Sequence, residues 1–235
     1  MRFHKTPVQR VDYILSHCAG KKVLHLGCTN WPYTDQALAD GSLLHTRIAE
    51  SASQVFGLDS DSRGLEVLRT RGFGDLYLAD LEQLDLVRLS DTFDLVVAGE
   101  MIEHLSNPGR FLEGVKRFLH NGSRLIITTV NAYCAMRLLI YGLRGKGGSV
   151  EPVHPDHVAY YSFSTLKVLL ERYGLIIEDF LFYDLGPEHR PYNRRILNFA
   201  NDAAVKLFPQ LSDGIIAVCA YESLPEAEGK SITLV

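Results

Sequence analysis

Two short segments hold the residue types that acid–base or metal chemistry needs. In Glu100-Met101-Ile102-Glu103-His104 two carboxylates and an imidazole stand at i, i+3 and i+4, positions that share one face of a helical turn. In His154-Pro155-Asp156-His157 two more imidazoles flank a carboxylate. Gathered together, such groups can hold a divalent cation such as Mg²⁺ or Mn²⁺ through oxygen and nitrogen. The same set can act without a metal, with His104 as the proton acceptor and Glu103 orienting it. A structural role, capping a turn and filling space, is the third option. Spacing leaves all three open, and it leaves open whether His157 reaches His104 across the intervening chain.

These groups are useful only if the fold gathers them. Residues 23–26, 54–58, 76–79, 93–98 and 124–130 are short, nearly continuous apolar runs, and 175–181 and 214–220 add two more. Helical patterns lie between them, such as Phe111, Leu112, Val115 and Phe118. Further helices are expected from Thr6-Pro7 to Cys18, over 133–144, over 164–173 and over 194–207. The pattern predicts an α/β, Rossmann-like domain with a mainly parallel seven-stranded sheet and helices on both faces. Ligands of such sheets bind at the carboxyl ends of the strands. The polar or small residues there are Gly27, Asp59, Asp80, Glu100 and Asn131. Glycine lets a backbone approach a ligand closely. A carboxylate at the end of the second strand can accept both hydroxyl protons of a ribose diol. A nucleoside cofactor is one reading; an ordinary turn at Gly27 and helix caps at Asp59 and Asp80 are the other.

With 235 residues, 46% apolar and 22% charged, the chain suits one globular domain. Residues 1–222 are expected to form it, with an N-terminal helix within 1–20, an acceptor-side insertion or lid over 131–161, and a flexible tail from 223 to 235. The net charge of −4 argues against nucleic acid held through bulk charge. Cys18, Cys28, Cys134 and Cys219 contain no CxxC pair, which fits a reducing compartment. The segment 1–7 has no apolar leader core, and no apolar run approaches the ~18 residues of a membrane span. A cytoplasmic monomer or homodimer is the expectation.

The strand-end series Val23-Leu24-His25-Leu26-Gly27-Cys28, Val55-Phe56-Gly57-Leu58-Asp59-Ser60, Asp80-Leu81-Glu82-Gln83-Leu84, Phe93 to Glu100 and Arg124 to Asn131 resembles the class I S-adenosylmethionine-dependent methyltransferases. Within them it is similar to the branch that includes the ubiquinone-pathway O-methyltransferases. The resemblance spans about residues 20 to 222. It implies S-adenosyl-L-methionine as cofactor, with Gly27 and Cys28 giving backbone contacts to its methionine part. It places Asp59, with Ser60 beside it, on the ribose, and Asp80 and Leu81 at the adenine. Joining Glu-x-x-Glu-His to a later histidine also resembles the metal site of that branch and of the small-RNA terminal 2′-O-methyltransferases. The matched metal positions are Glu100, Glu103, His104 and His157, with His104, Glu103 and His157 as catalytic residues.

Three positions depart from the family pattern. His25 stands where an acid is usual, and Thr29 and Trp31 replace glycines. His25 is expected to weaken contact with the cofactor's ammonium group, and Trp31 to crowd the loop. On the acceptor side, Tyr160-Tyr161 and the cluster Arg190-Pro191-Tyr192-Asn193-Arg194-Arg195 combine aromatic faces with phosphate-pairing cations. The expected reaction is O-methylation of a small-molecule or sugar and glycan hydroxyl. A terminal 2′-O-methyltransferase on RNA and a non-catalytic cofactor-binding module are the alternatives.

Overall fold

The chain's apolar runs become strands, and the central ones are buried on both faces. The computed structural model describes residues 1–4, 6–144, 156–184 and 195–221. Among them, the expected strands are β3 (Lys22–Leu26), β4 (Gln54–Asp59), β5 (Leu76–Leu78), β6 (Phe93–Gly99), β7 (Leu119–Val130), β8 (Leu175–Asp184) and β9 (Gly214–Tyr221). In β6, Val96 and Ala98 pack with Phe111 and Leu125 on one side, while Leu95 and Val97 pack with Ile14, Ile48 and Tyr183 on the other. A strand with two buried faces reads as an unbroken apolar run rather than an alternating one.

Among the described residues the sheet has nine strands in the order β1-β8-β9-β7-β6-β3-β4-β5, with β2 also paired to β8. Strand β9 runs antiparallel to β7 and β8, and the other pairings are parallel. The expected seven-stranded sheet is therefore extended at one edge by the two-residue strands β1 (Arg2–Phe3) and β2 (Val8–Gln9). This corrects the reading of the N-terminus. The helix expected from Thr6-Pro7 starts later, as α1 (Arg10–Cys18), because Val8 and Gln9 pair with Tyr183 and Asp184 of β8. A sheet edge overrides a local helix-start signal.

Two helices between β3 and β4, α2 (Thr34–Ala39) and α3 (Leu44–Ser51), went unread, since 31–53 has few regularly spaced apolar residues. The remaining helices are α4 (Ser62–Thr70), α5 (Pro108–Val115), α6 (Ala135–Arg144), α7 (Phe163–Arg172) and α8 (Arg195–Leu207). No helix among the described residues is long and apolar enough to cross a membrane. From β3 the chain steps outward through β4 to β5, then returns to β6 on the other side of β3. That reversal opens a crevice between the carboxyl ends of β3 and β6.

Candidate active site

Gly27 closes β3 with φ +71°, a left-handed conformation that favours glycine. A Cβ there would stand 3.4 Å from the Cβ of Met101, across the crevice. The N–H groups of Gly27 and Cys28 both donate to the Leu58 carbonyl, at 2.9 and 3.3 Å. Any backbone contact these two residues offer a ligand therefore comes from their carbonyls. Cys28 is buried, and burial followed by the nearby Asp59 charge pushes its thiol well above the usual range.

Asp59, at the end of β4, organises the loop around it. Its Oδ2 accepts from the Thr29 N–H at 2.8 Å and its Oδ1 from the Asp61 N–H at 2.9 Å. A carboxylate has about four lone-pair positions, so each oxygen retains acceptor capacity for a diol. Ser60 is exposed beside it. Asp80 is exposed and accepts from the Glu82 N–H at 2.9 Å and from Gln83 Nε2 at 2.6 Å, with Leu81 buried next to it. Neither aspartate caps a helix: Asp61 precedes α4 and Gln83 precedes the turn Leu84–Leu86, with no side-chain cap bond at either, so Asp59 and Asp80 brace the loops that follow β4 and β5.

Trp31 corrects an expectation. It is 65% exposed and points out of the loop instead of crowding it. His25 is buried, and its Nδ1 lies 3.3 Å from Nδ1 of His45 on α3, the rings stacked 5.5 Å apart. The imidazole at the family's acidic position is directed into the core and pairs with a second imidazole. Asn131, the last of the strand-end residues, also has structural duties. Its amide donates to the carbonyls of Gln210 and Ser212, both at 2.8 Å.

The acidic segment after β6 diverges from the one-face arrangement. Glu100 adopts φ +51°, a left-handed conformation that costs a non-glycine residue on the order of 1 kcal/mol or more. Its N–H donates to the Thr128 carbonyl at 2.9 Å. Its carboxylate accepts a hydrogen bond from the Tyr183 hydroxyl and lies 3.8 Å from the Arg10 guanidinium. Only then does a tight turn, Ile102–His104, begin. The fourth expected metal position is therefore drawn toward Arg10 and Tyr183. Gly214 makes room for this contact, since a Cβ there would lie 2.0 Å from the Tyr183 ring.

Glu103, His104 and His157 do come together. One ligand-type atom from each lies within 4.8 Å of the other two, and the two imidazole rings meet edge to face at 4.7 Å between centroids. The contact across the sequence is made by backbone. The Glu103 carbonyl accepts from the N–H groups of Val158 at 2.9 Å and Ala159 at 3.3 Å. Glu103 itself is fully buried, and its Oε2 accepts from the Thr129 hydroxyl at 2.8 Å. Its Oε1 has no hydrogen-bond partner among the described residues. Burial, and then the neighbouring Glu100 charge, raise the Glu103 carboxyl to about 7. His157 is half-buried and His104 exposed, so the cluster runs from the core to solvent. Tyr160 stands beside His157 at 6.0 Å, with the Arg137 guanidinium 4.8 Å above its ring. Arg10, Thr129 and Tyr183 were not legible as site residues. Their one signal is a polar side chain near the end of an apolar element. His154 and Arg190 to Arg194 lie outside the described residues, as does the expected tail.

A family model described as a methyltransferase domain matches residues 10–179. The chain belongs to that family. The match reaches from the first residue of α1 into β8, and so contains the Gly27–Asp59–Asp80 crevice and the Glu103–His104–His157 cluster. The resemblance read from the strand ends is borne out. The ubiquinone biosynthesis O-methyltransferase of Idiomarina loihiensis is 29% identical over 135 residues, covering 54% of this chain and 51% of that protein. The one of Aeromonas salmonicida is 24% identical over 184 residues, 75% and 73% of the two chains. The chain spans about half the length of the Idiomarina relative and of the matching Nitrosococcus oceani protein. An S-adenosylmethionine-dependent methyltransferase structure from Mesorhizobium loti superposes with a TM-score of 0.53 at 19% identity, over 89% of this chain and 94% of that one. That likeness concerns the methyltransferase fold.

Proposed function

We propose that this chain transfers a methyl group from S-adenosylmethionine to a hydroxyl oxygen of a small-molecule or glycan acceptor. The observation that carries the proposal is the convergence of Glu103, His104 and His157 beside the crevice of a methyltransferase fold. When bound, the cofactor supplies an activated methyl on a sulfonium and a neutral thioether leaving group. The protein's part begins with holding: Asp59 accepts from the ribose hydroxyls, Asp80 sits at the adenine, and the Gly27 turn lets the chain approach the methionine end. An alcohol is a poor nucleophile until its proton leaves. The exposed His104 imidazole, backed by the buried Glu103 carboxylate, is placed to take that proton, and His157 packs against it to fix its orientation. Thr129 keeps the Glu103 carboxyl in place through Oε2, which leaves Oε1 for the cluster.

The same atoms support a second reading, in which a divalent cation occupies the cluster. One carboxylate oxygen and two imidazole nitrogens match the ligand preferences of Mn²⁺ or Mg²⁺ with added water. Glu103 Oε1, His104 and His157 would hold the cation, which would lower the pKa of a bound hydroxyl. A single experiment separates the two. Methyl transfer from labelled cofactor to a panel of phenols, sugars and short RNAs is measured with and without EDTA. Loss with EDTA and recovery with Mn²⁺ or Mg²⁺ favours the cation, and indifference to EDTA favours the His104 base. Cofactor binding with no methylated product for any acceptor, under either condition, would favour the non-catalytic module.

A further inference from the structure

The methionine end of S-adenosylmethionine carries an α-ammonium, and a charged group leaves water at low cost only where it is paired. The turn at Gly27 supplies no negative charge of its own. His25, two residues earlier, is buried with its Nδ1 against His45. Burial, followed by His45 and Arg10, lowers its imidazole well below 6.5, so the ring is neutral and turned inward. The N–H groups of Gly27 and Cys28 are both engaged with the Leu58 carbonyl, which leaves this turn with carbonyl acceptors. Such a surface suits a donor like an ammonium, yet it lacks the opposite charge.

The acids at the carboxyl edge of the sheet differ in what holds them. Asp59 braces the loop after β4 through the Thr29 and Asp61 N–H groups and is matched to the ribose. Asp80 follows β5, two strands away from β3. Glu103 is buried, with Oε2 on the Thr129 hydroxyl. Glu100 does not join the Glu103–His104–His157 cluster, and its position is different. Strand β6 pairs with β3 in the register Leu26 to Ala98, so Gly27 and Gly99 end neighbouring strands and Glu100 is the next residue. A Cβ on Gly27 would stand 3.4 Å from the Cβ of Met101, so the segment of Glu100 and the Gly27 turn border one gap. Glu100 is also the one non-glycine residue with a left-handed backbone among the described residues, a strain that persists only where the surroundings hold it. The Tyr183 hydroxyl donates to one of its carboxylate oxygens, and the Arg10 guanidinium lies 3.8 Å from the other. The side chain is still 27% exposed, and a carboxylate has about four lone-pair positions, so it can accept further hydrogen bonds. We propose that Glu100 is the counter-charge for the cofactor's α-ammonium, with Tyr183 as the residue that positions it. The proposal rests on the cofactor reading above, and it moves the acid from the end of β3 to the end of β6.

Calorimetry on the full chain compares S-adenosylhomocysteine with its deamino analogue, in which hydrogen replaces the α-ammonium. The parent should bind S-adenosylhomocysteine at least ~10-fold more tightly than the analogue, the scale of one charge-assisted hydrogen bond. Glu100→Gln keeps the size and one neutral acceptor, so it should weaken S-adenosylhomocysteine at least ~5-fold. The analogue has no ammonium to lose a partner, and its affinity should stay unchanged or rise. Far-UV circular dichroism checks the fold of the variant. Should Glu100→Gln not fold, Tyr183→Phe keeps the buried ring and removes the bond to Glu100. It should weaken S-adenosylhomocysteine about 3-fold and spare the analogue. Parallel behaviour of the two ligands in a folded variant, or a parent that does not distinguish them, would overturn the proposal while leaving cofactor binding intact. A parent that binds neither ligand would overturn the cofactor reading, and this inference with it.

Discussion

Lowering the pH should weaken the fold through the buried His25–His45 pair, and His45→Asn should remove half of that effect. Burial holds the His45 imidazole down at about 4, against 6.5 for a free histidine. His25 is lowered further, by burial first, then by His45 and Arg10. The folded protein therefore keeps both rings neutral between about pH 4 and 6.5, while the unfolded chain takes up protons there. Stability falls as pH falls through this window, by up to about 1.4 kcal/mol per pH unit for each ring. For His45 the whole loss is about 3 kcal/mol. Glu103 acts in the opposite sense, because its carboxyl is raised to about 7, so the stability it contributes is lost as pH rises. That contribution is common to both proteins and cancels in the comparison. Asparagine can present its amide where the His45 Nδ1 meets His25, and it does not titrate. Urea unfolding followed by circular dichroism at pH 5, 6 and 7.5 should show the His45→Asn protein losing roughly 1 kcal/mol less per pH unit than the parent. Parallel slopes for the two proteins would mean that the pair already carries a proton in the folded state, and the reasoning from burial would fail.

Three further outcomes follow from the site. Asp59→Ala removes the acceptor for two ribose hydroxyls, worth roughly 1.5–3 kcal/mol for each charge-assisted bond, so calorimetry should show at least ~10-fold weaker binding of S-adenosylhomocysteine; unchanged affinity would remove Asp59 from the pocket. His104→Ala should leave that affinity intact and lower turnover at least ~100-fold; under the cation reading His157→Ala should behave alike, whereas under the base reading it should raise KM more than it lowers kcat. Glu103→Gln should abolish most turnover yet raise the melting temperature at pH 8 in EDTA, where the parent buries a charge, and leave it nearly unchanged about one pH unit below the ordinary glutamate value of 4.5, where the parent carboxyl is neutral in the folded state and almost wholly so in the unfolded one; a variant less stable than the parent at pH 8 would show that the Glu103 charge is compensated.

The parts of this molecule that were legible in the sequence are those that depend on residue type along one element. Apolar runs announced β3 to β9, most plainly the central β3 and β6, which are buried on both faces, and a glycine or aspartate at a run's end announced the crevice because that edge is where the loops converge. What stayed hidden depends on backbone geometry between elements. A helical turn would have put Glu100, Glu103 and His104 on one face; the left-handed Glu100 precedes the turn and directs its carboxylate to Tyr183 and Arg10. Likewise nothing in the side chains of Val158 and Ala159 foretells that their N–H groups will bond the Glu103 carbonyl, yet that pair of bonds is what carries His157 to His104. Backbone donors are common to almost every residue, so such a contact leaves no mark in composition or spacing. The strained Glu100 and the buried, half-bonded Glu103 carboxyl show where the fold holds groups that stability alone would not select. Both lie on the segment that the residue types had singled out as chemical.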